Sequence, residues 1–126
     1  MSKKALIVDD SADFAQGVAD VLEANGYAVV TATSGEAGFE NAVGQKPDVI
    51  LLDVMMENSG AGLDMLRRLK STAETAGVPV VLVTGIRKPE FLLESYAPGE
   101  QFPNVKKVFE KPVDPKKLVE TLETIG

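Results

Sequence analysis

Four short groups of residues in this chain carry side chains that could do chemistry together: Asp9-Asp10, Asp53, Thr84-Gly85 and Lys111-Pro112. The chain contains no histidine and no cysteine, which removes a histidine-based triad, an imidazole base, thiolate chemistry and a His-rich zinc site. Three carboxylates, a hydroxyl and an ammonium suit phosphoryl transfer instead. Two like charges about 5 Å apart repel by about 3 kcal/mol at an effective dielectric of about 20. Three gathered carboxylates therefore hold together only if some take up protons or a cation enters. Oxygen donors without nitrogen or sulfur favour Mg²⁺, with Mn²⁺ as the alternative, and Mg²⁺ accepts phosphate as a further ligand. Charge balance agrees, because one Mg²⁺ and one lysine offset three carboxylates. An aspartate there acts as nucleophile and becomes an aspartyl phosphate. The cation and Lys111 neutralise charge on the transferring oxygens. Thr84 can donate a hydrogen bond to the phosphoryl group, and Gly85 leaves room beside it.

Each residue also has a plainer reading. A single aspartate after a strand is more often a helix cap or a turn residue, and a lone threonine or lysine there tells nothing. Asp10 and Ser11 are equally good caps for the helix that follows them. The combination carries weight only if separate elements bring the four groups to one place.

Those elements are legible. Ala5–Val8, Tyr27–Val30, Val49–Leu52 and Val80–Val83 are short apolar runs, with a weaker fifth over Val105–Phe109 interrupted by Lys106 and Lys107. Continuous β-branched runs suit parallel strands covered on both faces. Helix-length segments separate them. Phe14, Val18, Val21 and Leu22 form one apolar stripe, and Asn25-Gly26 supplies a stop. Ser34 caps a second helix with a thin stripe of Phe39, Ala42 and Val43, and Leu63, Leu66 and Leu69 mark a third. A fourth falls around Glu90–Tyr96. Asp114-Pro115 opens a fifth, completed by Leu118, Val119, Leu122 and Ile125. Strand and helix thus alternate five times, the pattern of an α/β fold with a parallel sheet between helices and right-handed crossovers. In such open sheets the working site lies beyond the carboxyl ends of the strands. Asp9-Asp10, Asp53 and Thr84-Gly85 stand at three of those ends, and Lys111 follows the fifth run.

The 126 residues fit one domain with a core large enough to need no staples, and no linker or repeat divides it. A formal charge of −6 disfavours nucleic acid as a partner. No apolar run approaches the ~20 residues of a membrane span, and the opening Met1-Ser2-Lys3-Lys4 leads into too short an apolar stretch for a secretory signal. A cytoplasmic location is expected, without membrane attachment.

With Asp9-Asp10 after Leu6-Ile7-Val8, Asp53 inside Asp48–Met56, Thr84-Gly85 and Lys111-Pro112-Val113, the chain resembles the receiver domains of two-component response regulators from Lys4 to Ile125. The resemblance implies a flavodoxin-like, doubly wound sheet of order 2-1-3-4-5 with five helices on both faces. It implies that Asp53 receives phosphate from a phosphohistidine on a sensor histidine kinase or a histidine phosphotransfer protein. Asp9, Asp10, Asp53 and the backbone carbonyl of Met55 would position Mg²⁺, Thr84 would move toward the phosphoryl group, and Lys111 would pair with it. The Lys111–Pro112 peptide would be cis. With no output domain in the sequence, the signal would pass to a separate effector protein.

Three departures stand out. Glu57 and Ala61 occupy positions where the family usually carries proline and glycine, within a loop that looks one residue longer. The stretch between Thr84 and Lys111 is also longer, with Pro98, Gly99 and Pro103 inside it. Val108 replaces the usual aromatic three residues before the lysine, and strand alternation aims the neighbouring Phe109 at the other face. The output is therefore expected to run through Ile86–Asn104. Apolar Met55 and Ile86, two residues past Asp53 and Thr84, predict slow self-dephosphorylation. A phosphatase with an aspartyl nucleophile needs a second aspartate two residues on, where this chain has Met55 after Asp53 and Ser11 after Asp9. A partner-binding scaffold that is never phosphorylated is a further rival. A flavin module is weaker still, since Asp9-Asp10-Ser11-Ala12-Asp13 is too acidic to cradle phosphate.

Overall fold

A computed structural model describes residues 3–53, 61–84, 105–110 and 113–125. Five parallel strands form one sheet: β1 (Lys4–Val8), β2 (Ala28–Ala32), β3 (Val49–Asp53), β4 (Val80–Thr84) and β5 (Val105–Glu110), in the order β2-β1-β3-β4-β5. Among the described residues four helices flank it: α1 (Ala12–Ala24), α2 (Gly35–Gln45), α3 (Ala61–Ser71) and α4 (Pro115–Ile125). The expected doubly wound architecture is present. The helix expected around Glu90–Tyr96, the segment Ile86–Asn104 and the loop after Asp53 lie outside the described residues.

Alternation along the buried strands sorts their side chains into two cores. Leu6, Val8, Ile50, Leu52, Val80 and Leu82 meet α2 and α3 through Ala42, Met65, Leu66 and Leu69. Ala5, Ile7, Val49, Leu51 and Val81 meet α1 and α4 through Ala15, Ala19, Leu22, Leu118, Val119 and Leu122. Each strand residue thus has an apolar layer waiting on whichever side it faces, which is why the runs are continuous and not alternating.

The helix signals hold, with revisions. Ser11 caps α1 and Ser34 caps α2, their hydroxyls accepting from the N–H of Phe14 (3.3 Å) and Ala37 (3.1 Å). Asp114 caps α4, accepting from the N–H of Lys116 at 3.0 Å. Helix α1 ends as expected at Asn25-Gly26. Gly26 has φ +92°, its N–H donates to the Glu23 carbonyl, and the Tyr27 N–H reaches the Leu22 carbonyl. Tyr27 and Leu22 then share the same core. This is a Schellman ending, and it spends Tyr27 on the turn, so β2 begins one residue later than the apolar run suggested.

Two stripes carry more than the sequence pattern shows. In α1 the residues against the sheet are Ala15, Ala19 and Leu22, while Phe14, Val18 and Val21 are half-buried along the crevice facing α4. Small alanines bring the helix close to the strands and turn its bulky residues sideways. In α2 the thin stripe is explained by Gly38: a Cβ there would sit 2.8 Å from both Val8 methyls. A short approach over glycine replaces the large side chains that the pattern lacks.

Strand β5 carries an irregularity. Val80 pairs with Val105, but Val81 pairs with Lys107, so Lys106 is the extra residue of a bulge. This lets Val105 and Val108, an odd number apart, both join the α2/α3 core while Phe109 packs on the α1/α4 side. The expected opposite facing of Val108 and Phe109 holds.

Candidate functional site

Strand register builds the site. Val8 pairs with Ala32 on one side and Leu52 on the other, so Asp9 emerges beside Asp53, and Asp53 in turn pairs with Val83. Asp9 extends the β1/β2 ladder by one bond, its N–H donating to the Ala32 carbonyl at 3.0 Å. Asp9 and Asp53 follow Ile7 and Leu51 at two-residue spacing, which sends both carboxylates to the α1 side of the sheet edge.

Burial there is uneven and chemically informative. Asp9 is 1% exposed and Asp53 5%, whereas Asp10 is exposed. One carboxylate oxygen from each of the three residues lies within 4.8 Å of the others. Ser11, not Asp10, caps α1, and Asp10 stands in the acidic group. The Ser11 N–H also donates to Asp9 Oδ1 at 2.8 Å, fixing that carboxylate from the helix side. This is an Asx turn, a contact that an aspartate makes with the backbone two residues on, and it places Ser11 against Asp9 as well as at the helix cap.

Three oxygen ligands at this spacing, two of them buried, form a group that could hold a metal ion, and all-carboxylate donors match a hard divalent cation. The sequence thus placed Asp9, Asp10 and Asp53 correctly as one cluster. Thr84 closes β4 and pairs through its backbone with Glu110 at the end of β5, on the same edge of the sheet. The Thr84 side chain, Gly85, Met55, Lys111 and Pro112, including the expected cis peptide, lie outside the described part of the structure.

The profile of the response regulator receiver domain matches residues 5–123. The chain belongs to this family. Receivers are signalling domains of two-component systems; they carry phosphate on an aspartate and work with histidine kinases or phosphotransfer proteins and with effectors. This receiver is 31% identical over 122 residues to Protein PilH of Pseudomonas aeruginosa, covering 97% of this chain and 96% of PilH. It is 30% identical over 125 residues to the phosphate regulon transcriptional regulatory protein PhoB of the same organism, covering 99% of this chain and 52% of PhoB. The chain therefore spans about half the length of the PhoB-type relatives it matches. Among solved structures, the receiver superposes on the chemotaxis response regulator CheY4 of Vibrio cholerae with a TM-score of 0.85, at 28% identity and full coverage of both chains. Among its described residues, no helix is long and apolar enough to cross a membrane.

Proposed function

We propose that Asp53 is the phospho-acceptor of this receiver, taking a phosphoryl group from a phosphohistidine in a Mg²⁺-dependent reaction that switches binding of an effector protein. The observation that carries the reading is the buried Asp53 carboxylate with an oxygen within 4.8 Å of oxygens of Asp9 and Asp10. Low exposure keeps water from competing with the incoming phosphorus, and the end of a central strand holds the nucleophile rigidly. When bound, Mg²⁺ supplies positive charge against the phosphoryl oxygens and lowers the repulsion that the nucleophile would otherwise present to them. Asp9 and Asp10 hold that charge in place, joined by the Met55 carbonyl. Lys111 offsets the remaining negative charge on the phosphoryl group, Thr84 donates a hydrogen bond to it, and Gly85 makes room. The balance is simple: the bond from phosphorus to the donor nitrogen breaks as the bond to the Asp53 oxygen forms, and the histidine leaves with its electron pair and takes a proton.

Residues 1–126 act in this reading as one receiver unit, working in the cytoplasm without nucleic acid or membrane contact. It promotes its own phosphorylation and dephosphorylation but does not turn over an external substrate. Acetyl phosphate or phosphoramidate plus Mg²⁺, followed by intact mass measurement, tests the assignment. Wild type gains one phosphoryl group, and Asp53→Asn or omission of Mg²⁺ prevents the gain. A folded chain that stays unmodified under all these conditions would be the scaffold, not the acceptor.

A further inference from the structure

We propose that Ser11 is a positioning residue for the cation-binding carboxylate of Asp9, tying occupancy of the acidic site to the first turn of α1. Three bonds define its place. Its N–H donates to Asp9 Oδ1 at 2.8 Å, its hydroxyl accepts from the Phe14 N–H at 3.3 Å, and its carbonyl accepts from the Ala15 N–H at 3.0 Å. The helix therefore grips Ser11 from one side while Ser11 grips Asp9 from the other.

The physical consequence follows from the geometry of a carboxylate. An N–H bond to an ionised oxygen is charge-assisted and directional, and it fixes the plane of the group. With Oδ1 held, a swing of the 1%-exposed Asp9 side chain breaks a part-buried bond, so the direction of Oδ2 is set before any ion arrives. Groups that orient a metal ligand without touching the metal change affinity by about 10-fold or more when lost. The serine hydroxyl matters at one remove: by capping α1 it keeps the Ser11 backbone (φ −86°, ψ 103°) in the extended conformation that aims its N–H at Asp9. Capping by Ser11 also spares Asp10 that task. Linkage makes the effect reciprocal, so a cation that favours the ordered Asp9 must steady the α1 cap by a comparable factor.

This inference rests on the reading of Asp9, Asp10 and Asp53 as a divalent-cation site. It is tested on the full chain by calorimetric titration of Mg²⁺ and Mn²⁺ into wild type, Ser11→Ala, Ser11→Thr and Ser11→Pro, with amide exchange at Phe14 and Ala15 as a second readout. Proline removes both the N–H and the capping hydroxyl at a φ close to its own range, alanine removes only the cap, and threonine keeps both, so the proline-minus-alanine difference reads the N–H. Expected losses of Mg²⁺ affinity are about 3-fold for alanine and about 10-fold for proline, with threonine near wild type. In wild type, Mg²⁺ slows exchange at Phe14. A merely structural role would lower the melting temperature of Ser11→Ala and leave its Mg²⁺ affinity at the wild-type value, and that result overturns the proposal. Wild type that binds neither cation overturns the site reading and this inference together; wild type that binds as tightly as the alanine and proline variants overturns the inference alone.

Discussion

Replacing Asp53 by asparagine should make the cation-free protein more stable while destroying its phosphorylation. Asp53 has two acidic neighbours with ligand oxygens within 4.8 Å. Each such pair of unit charges repels by about 3 kcal/mol at an effective dielectric of about 20 and by about 1 kcal/mol in water. The Asp9 pair is buried and sits nearer the first figure; the exposed Asp10 pair sits nearer the second. Asparagine keeps the shape and one carbonyl oxygen, so most of the change is the lost charge. After discounting for solvent screening and for bonds weakened by the swap, a net gain of about 1–3 kcal/mol remains. For a chain of this size that is a melting-temperature rise of roughly 3–10 °C in EDTA at low salt. Raising the ionic strength should shrink the difference, chiefly through exposed Asp10. Adding Mg²⁺ should close or reverse it, because wild type gains about 2.7 kcal/mol at a cation concentration 100 times its dissociation constant and the variant binds less. Urea titrations with and without Mg²⁺ provide the measurement. If Asp53→Asn is no more stable than wild type in EDTA, or draws the same stabilisation from Mg²⁺, the electrostatic account of the site is wrong.

Three further outcomes are expected. Gly38→Ala should cost about 1–3 kcal/mol in urea unfolding, because the new methyl would lie 2.8 Å from both Val8 methyls; an unchanged midpoint would refute the close approach of α2 to β1. Burial, aided by Glu123, raises the Tyr27 phenol above its ordinary value of 10.0. The folded state then holds the proton more tightly than the unfolded one, so this contribution is complete below pH 10 and fades as pH rises through the folded value. Tyr27→Phe should flatten that alkaline slope in pH-dependent unfolding, and an identical slope in both proteins would exclude Tyr27 as its source. Met55→Asn should speed loss of phosphate from the phosphorylated chain by offering a polar side chain to the attacking water, read by the decay of the phosphorylated mass; equal lifetimes would remove Met55 from the argument.

How much was legible depended on whether the signal was local. Ser34, Asp114-Pro115 and Asn25-Gly26 mark helix ends because caps are made by residues a few positions apart, and each does so in the structure. Val49–Leu52 and Val80–Val83 read as strands because apolar cover on both faces leaves no polar position. The stripe of α1 is legible only in part, through Leu22 in the core and Val18 and Val21 packed against it, for the opposite reason. Phe14, Val18 and Val21 outrank alanine in hydrophobicity, yet Ala15 and Ala19 face the sheet, since what suits that face is closeness and not bulk. The role of Gly38 and the bulge at Lys106 were hidden in the same way, each being defined by a partner on another element.

Sequence alone settled the inventory: which residues could bear charge at strand ends, the alternation of strand and helix, and the absence of histidine and cysteine that narrowed the chemistry. Tertiary structure decided distance. That Val8 lies against Leu52 brings Asp9 beside Asp53, though 44 positions separate them along the chain, and only the crossover of α2 from β2 past β1 to β3 makes that pairing. Coulomb repulsion and cation affinity depend on separation in space, so the same three aspartates are ordinary caps or a metal-holding cluster according to the register of two strands.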